Sequence, residues 1–174
     1  MTAGGPETVR PFSFAASLPA GSSSGVTRKI LRYSLMTCLL VSSAFAAWSW
    51  MRPYSWRADP AARCTVTETL VTRDHSFFWV DVHLKVNPDM THDLRKPVRL
   101  ESAAGKKFEP ADTTLVGTPG QGTTEIWFKF WLESADLQGP LTLHLNDGKL
   151  MVKSRDGVPD LGSSTYRNFT TNHW

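Results

Sequence analysis

"HSFFWVDVHLKV", residues 75–86, carries the period on which the fold turns. Phe78, Val80, Val82, Leu84 and Val86 fall on one side of an extended chain. Phe77, Trp79, Asp81, His83 and Lys85 fall on the other. A two-residue repeat of this kind is that of a strand with one face in a core. "TEIWFKFWLES", residues 124–134, repeats it, with Ile126, Phe128, Phe130 and Leu132 set against Glu125, Trp127, Lys129, Trp131 and Glu133.

Outward from these two runs the same pattern continues in shorter pieces. "CTVTETLVT" (64–72) has the Thr and Val content of a strand. "GPLTLHLND" (139–147) alternates Leu141, Leu143 and Leu145 with Thr142 and His144, and "KLMVKS" (149–154) adds Leu150 and Val152. Asp147-Gly148 between them is a hairpin signal. "KPVRLES" and "KKFEP" read as two short strands around the turn "AAGK". Six or seven antiparallel strands without a long amphipathic helix predict an all-β domain, an immunoglobulin-like antiparallel β-sandwich of about 100 residues.

Ahead of the strands lies "LMTCLLVSSAFAAWSW", residues 35–50, within an uncharged run over 33–51. As a helix those 19 residues span about 28 Å, close to the hydrocarbon core of a bilayer. Arg28, Lys29 and Arg32 precede the run, while Trp48, Trp50, Tyr54 and Trp56 close it where an aromatic belt lies. Arg32, Trp48, Trp50, Tyr54 and Trp56 are thus the expected membrane-interface residues. A cleaved signal peptide is the rival reading, with Ala44-Phe45-Ala46 as its cleavage site. The apolar stretch runs on past Ala46, which favours a retained anchor. Either way the following domain is exported, and the basic N-flank puts the N-terminus in the cytoplasm. The expected organisation is a disordered cytoplasmic tail over 1–29 and a transmembrane signal anchor over 30–51. A stiff juxtamembrane linker follows over 52–62, then the sandwich over 63–154 and a C-terminal tail over 155–174. For a bacterial protein this places a single-pass chain in the inner membrane with its domain on the extracytoplasmic, periplasmic side.

Charge and cysteine use narrow the function classes. Residues 1–32 hold four basic residues and one acidic, and the remaining 15 basic and 15 acidic residues cancel. The pI near 9.0 therefore belongs to the N-terminal flank, and the body lacks the basic stripe of a nucleic-acid binder. Cys38 sits in the apolar run and Cys64 at a strand start, so the two are not expected to form a disulfide within the chain. There is no Cys-x-x-Cys, Gly-x-Ser-x-Gly, His-Glu-x-x-His or phosphate-cradling glycine loop. His83 and His144 both fall on outward faces and would meet if their strands were neighbours, but two ligands fall short of a metal site. Asp89, Asp93, Asp156 and Asp160 fit turns rather than a calcium loop. The sequence calls for no metal, no cofactor and no enzyme.

The informative oddity is aromatic. Phe77, Trp79, Trp127 and Trp131 occupy the face that alternation assigns to water. Exposed apolar patches mark contact surfaces, and Trp is favoured at binding hot spots. The face is read as a protein interaction surface made by Trp79, Trp127 and Trp131 with Phe77 at its edge. Two alternatives remain open: a face covered by the connector, the tail "STYRNFTTNHW" or Lys stems, and a site for an apolar or glycan ligand. Asn168-Phe169-Thr170 also matches a glycosylation sequon.

Taken together, "VTETLVTRDHSFFWVDVHLKV", "KPVRLESAAGKKFEPA", "TEIWFKFWLES" and "GPLTLHLND" resemble the small immunoglobulin-like domains of bacterial exported proteins. The secreted mycobacterial immunogenic-protein fold is a familiar member. The resemblance covers about residues 63–153 and implies an exported sandwich, often anchored to a membrane or lipid, with no catalytic residues. The tryptophans of 124–134 and the aromatic C-terminus depart from that pattern.

Overall fold

A computed structural model describes residues 24–120 and 122–174; of the tail expected over 1–29, residues 1–23 lie outside them and 24–29 are helical. The chain divides into two compact units, Met1–Ala44 and Phe45–Trp174. The helix α1 spans Ser24–Trp50, beginning some residues before the expected anchor. Over Arg28–Trp50 it is 23 residues long with a mean hydropathy of 1.5, and none of that stretch is buried in the protein. Its Thr37 Oγ1 donates to the Tyr33 carbonyl at 2.9 Å, so this hydroxyl is satisfied within the helix. Among the described residues α1 is the one helix long and apolar enough to cross a bilayer, although a signal sequence would have the same length and composition.

The second unit is a two-sheet body. Its strands are β1 (Cys64–Asp74), β2 (Phe77–Val86), β3 (Arg99–Ser102), β4 (Lys107–Phe108), β5 (Asp112–Thr118), β6 (Gly122–Glu133), β7 (Leu141–Leu145), β8 (Gly148–Lys153) and β9 (Tyr166–Phe169). One sheet has the order β5-β6-β2-β1-β9 and the other β4-β3-β7-β8, with every pairing antiparallel. The inward faces follow the alternation in the sequence. Phe78, Val80, Val82 and Leu84 on β2 and Ile126, Phe128, Phe130 and Leu132 on β6 join Leu100, Leu141, Leu143, Leu145, Leu150 and Val152 in one core.

Two strands lie where no strand is expected. β5 is almost wholly exposed and β9 has four mostly exposed residues, so neither shows an apolar period. Both are edge strands of the same sheet, where polar composition limits pairing with other chains. The tail therefore lies beside β1, through pairs Thr69↔Phe169 to Thr72↔Tyr166, and not across the aromatic face.

The expected linker is instead part of the body. Residues 54–57 and 60–62 form two 3-10 turns. Asp59 caps the second by accepting from Ala61 N and accepts again from Lys149 N on β8, both at 2.9 Å. These two backbone donors hold its carboxyl below the usual range. At the β7–β8 hairpin, Asn146 takes the left-handed conformation at φ 54. Gly148 serves a different need, since a Cβ there would stand 2.2 Å from Ala62 N. The Asn146 amide donates to Ala62 O, and its oxygen accepts from Asp93 N and lies 3.1 Å from His92 Nδ1.

Tyr54 corrects the sequence expectation most sharply. Placed by the sequence in an aromatic belt, it is buried in the core. Its hydroxyl donates to Thr69 Oγ1 on β1 and accepts from the indole N–H of Trp174. Trp174 is buried too and stacks on Phe169 at 4.9 Å. A hydroxyl with two partners can be buried at low cost, and this one ties residue 54 to residue 174. Close by, the buried Lys153 ammonium donates to the carbonyls of Gly139 and Arg155.

Replacing Trp174 by Ala should cost about 3–5 kcal/mol in chemical denaturation; a loss within experimental error would show that the clasp is dispensable. Burial also pushes the Tyr54 phenol from 10.0 up to about 12 and the Cys64 thiol from 9.0 up to about 11. Each raised group contributes stability that is complete below its unfolded value and is lost as pH rises through its folded one. Melting temperature should therefore fall from pH 9 towards 12, with the upper part of that decline flattened in Tyr54→Phe.

Candidate interaction face

The outer face of the five-stranded sheet is laid out by strand register. Phe77 lies opposite Glu133, Trp79 opposite Trp131, Asp81 opposite Lys129, and His83 opposite Trp127. On the flanks Thr72 pairs with Trp79 and Thr114 with Trp127. The four aromatic residues expected on this face are all there. Phe77, Trp79 and Trp127 are half-buried, while Trp131 is 48% exposed.

The rings form two packed groups. Phe77 stacks on Trp131 at 4.2 Å between centroids, and Trp79 leans on Trp131 at 6.3 Å. Trp127 stacks on His83 at 4.5 Å with the planes only 9° apart. Lys129 extends over Trp79, its Nζ 5.2 Å from the ring centre, while Trp79 Nε1 donates to Asp74. Neighbouring side chains thus cover ring faces and leave Trp131 half in water, with the more exposed Tyr166 of β9 in the same cross-strand row beyond Thr72 and Trp79. Such stacks are worth about 0.5–1.5 kcal/mol each beyond burial.

Between the two groups runs a charged row. His83 Nδ1 lies 3.0 Å from Glu68 Oε1, and its Nε2 lies 3.6 Å from Asp81 Oδ1, too long for a hydrogen bond. Asn168 on β9 donates to the second Glu68 oxygen at 2.7 Å. The buried Asp81 Oδ1 has no hydrogen-bond partner. Burial raises the Asp81 carboxyl above the usual range, against the pull of His83 and Lys129. A β-bulge puts Glu68 here. The register shifts between Val66 and Glu68, so Thr67 is the extra residue and Glu68 stands opposite His83. The single alternation of the sequence does not reveal this neighbour.

His144 lies in the other sheet, paired with Glu101 Oε2 at 2.6 Å, so the two histidines do not meet. No group of three or more metal-ligating side chains occurs among the described residues. A cavity of about 420 Å³ lies elsewhere, lined by Arg155, Asp160, Arg167, Phe169 and His173 among others. Among the expected interface residues Arg32, Trp48, Trp50 and Trp56 are exposed, and Tyr54 is not. No family model matches the chain, and neither a curated protein nor a solved structure matches it.

Asp81→Asn should raise the melting temperature at neutral pH. A carboxyl with a raised value contributes stability below its ordinary 3.8 that is lost as pH climbs through the folded value. The gain should vanish in acid, and a variant less stable than wild type at pH 7 would show instead that the ionised carboxylate holds the face together.

Proposed function

We propose that the chain is a non-enzymatic, single-pass membrane protein that presents an immunoglobulin-like sandwich to a protein partner. In this reading α1 is a retained anchor in a bacterial inner membrane, and the sandwich stands on the extracytoplasmic side. The protein then serves as an accessory or structural subunit of a membrane or envelope complex. The observation that carries the reading is Trp131, a large ring half in water that stacks on Phe77 and leans on Trp79 on the outer sheet face. Rings in such settings are the usual anchors of protein contacts.

Strand order supports the immunoglobulin-like assignment. Labelling β1 to β8 as A, B, C, C′, D, E, F and G gives D-E-B-A in one sheet and C′-C-F-G in the other, with β9 added beyond A. Ring geometry favours protein over a glycan. A sugar stacks on an open aromatic face, whereas Trp127 lies against His83, and Trp131 against Phe77 and Trp79.

A photo-crosslinking residue in place of Trp131, in the full chain expressed in cells, should give a discrete protein adduct that is absent from position Met151 on the second sheet. Trp131→Ala should abolish binding of the adducted protein at a cost of about 1 kcal/mol in stability, against about 3–5 for Phe130→Ala beside it in the core. Equal destabilisation by the two variants would make Trp131 a structural residue and remove the basis for the contact face.

A further inference from the structure

Arg52 stands two residues beyond the end of α1, within the unit Phe45–Trp174. Its guanidinium carbon lies 4.2 Å from the ring centre of Trp48 and 4.7 Å from that of Trp56. The two indoles meet edge to face at 5.4 Å. A guanidinium laid on aromatic faces keeps its N–H groups in its own plane, so stacking fixes the fork without occupying it. The buried Nε of Arg52 has no hydrogen-bond partner, and neither Arg52 nor Arg57 joins an ion pair among the described residues.

Beside them lies a small cavity of about 60 Å³, lined by Ser49, Arg52, Trp56, Arg57, Asn172 and His173 together with Pro53 and Tyr54. Its lining includes two arginines, a serine, a tyrosine, an asparagine and a histidine, and no Asp or Glu. That is the chemistry of an oxyanion site, because Arg binds phosphate through parallel charge-assisted hydrogen bonds. Exposed Trp56 lines it, and exposed Trp48 packs on Trp56 and Arg52 at the end of the apolar helix, the level at which headgroups lie if α1 spans a bilayer.

We propose that this cavity binds the phosphate of an anionic phospholipid headgroup, with Arg52 as the fork and Arg57 as the second positive charge; the lipid source rests on the reading of α1 as a membrane span. The absence of a lining carboxylate selects against zwitterionic lipids, whose amine would find no counter-charge. Specific headgroup binding then orients the domain on the membrane surface in addition to tethering it there.

The test is native mass spectrometry of the full chain in neutral detergent, with phosphatidylglycerol, phosphatidylcholine or inorganic phosphate added. Wild type should retain one phosphatidylglycerol in preference to phosphatidylcholine. Arg52→Gln and Arg57→Gln should each weaken that retention about tenfold, the loss of one charge-assisted contact. Arg99→Gln on the second sheet should leave it unchanged. Arg57 is exposed, so its variant carries the test even if Arg52→Gln fails to fold. Equal retention of the two lipids, or unchanged retention in Arg57→Gln, overturns the proposal. Saturation by inorganic phosphate without competition from phosphatidylglycerol overturns the lipid source. Carbonate extraction of membranes tests the span separately: release of the chain removes the anchor reading, while the lipid preference still decides the headgroup site.

Discussion

Nine residue pairs between β2 and β6, from Phe77↔Glu133 to Lys85↔Glu125, set the face on which every other feature of the body stands. Because side chains alternate, one step of slippage would carry Phe78, Val80, Val82 and Leu84 into water and bring Asp81, His83 and Lys85 inwards. Burial of the aliphatic and phenyl rows excludes that alternative by many kcal/mol. The same register brings Trp79 beside Trp131 and His83 beside Trp127. The outer aromatic groups are therefore a consequence of how the core is specified, and their exposure follows from where the core side chains must go.

Those two strands were legible because each has one wet and one dry face. β5 was not, since "DTTLVGT" at the sheet edge buries almost nothing and so carries no period. β9 escaped for the same reason. The bulge at Thr67 hid the contact between Glu68 and His83, because an inserted residue changes the phase of alternation without changing composition. The hairpin at residues 145–148 was visible, but for a different reason than the one that requires its glycine. Asn146 makes the left-handed turn, and Gly148 clears room for the backbone of residues 61–62.

The stretch after the apolar helix shows the limit of reading aromatic residues by position. Trp48, Trp50, Tyr54 and Trp56 look alike along the chain, yet three are exposed and Tyr54 is core. What separates them is Trp174 and Thr69, distant partners that satisfy the Tyr54 hydroxyl and make its burial affordable. The two turns over residues 54–62 follow from that burial and from the Asp59 cap on β8, which turn an expected spacer into a rigid first layer of the domain.

The hydrogen bond between Tyr54 and Trp174 joins residues 120 positions apart. Contacts of such long range form late and slow folding. A growing polypeptide that has exposed Tyr54 must still produce 120 further residues before the indole arrives to close the core. Until then the emerging strands stay open and pliable. The Tyr54 side of the core is thus locked only once Trp174 has been made and has reached it.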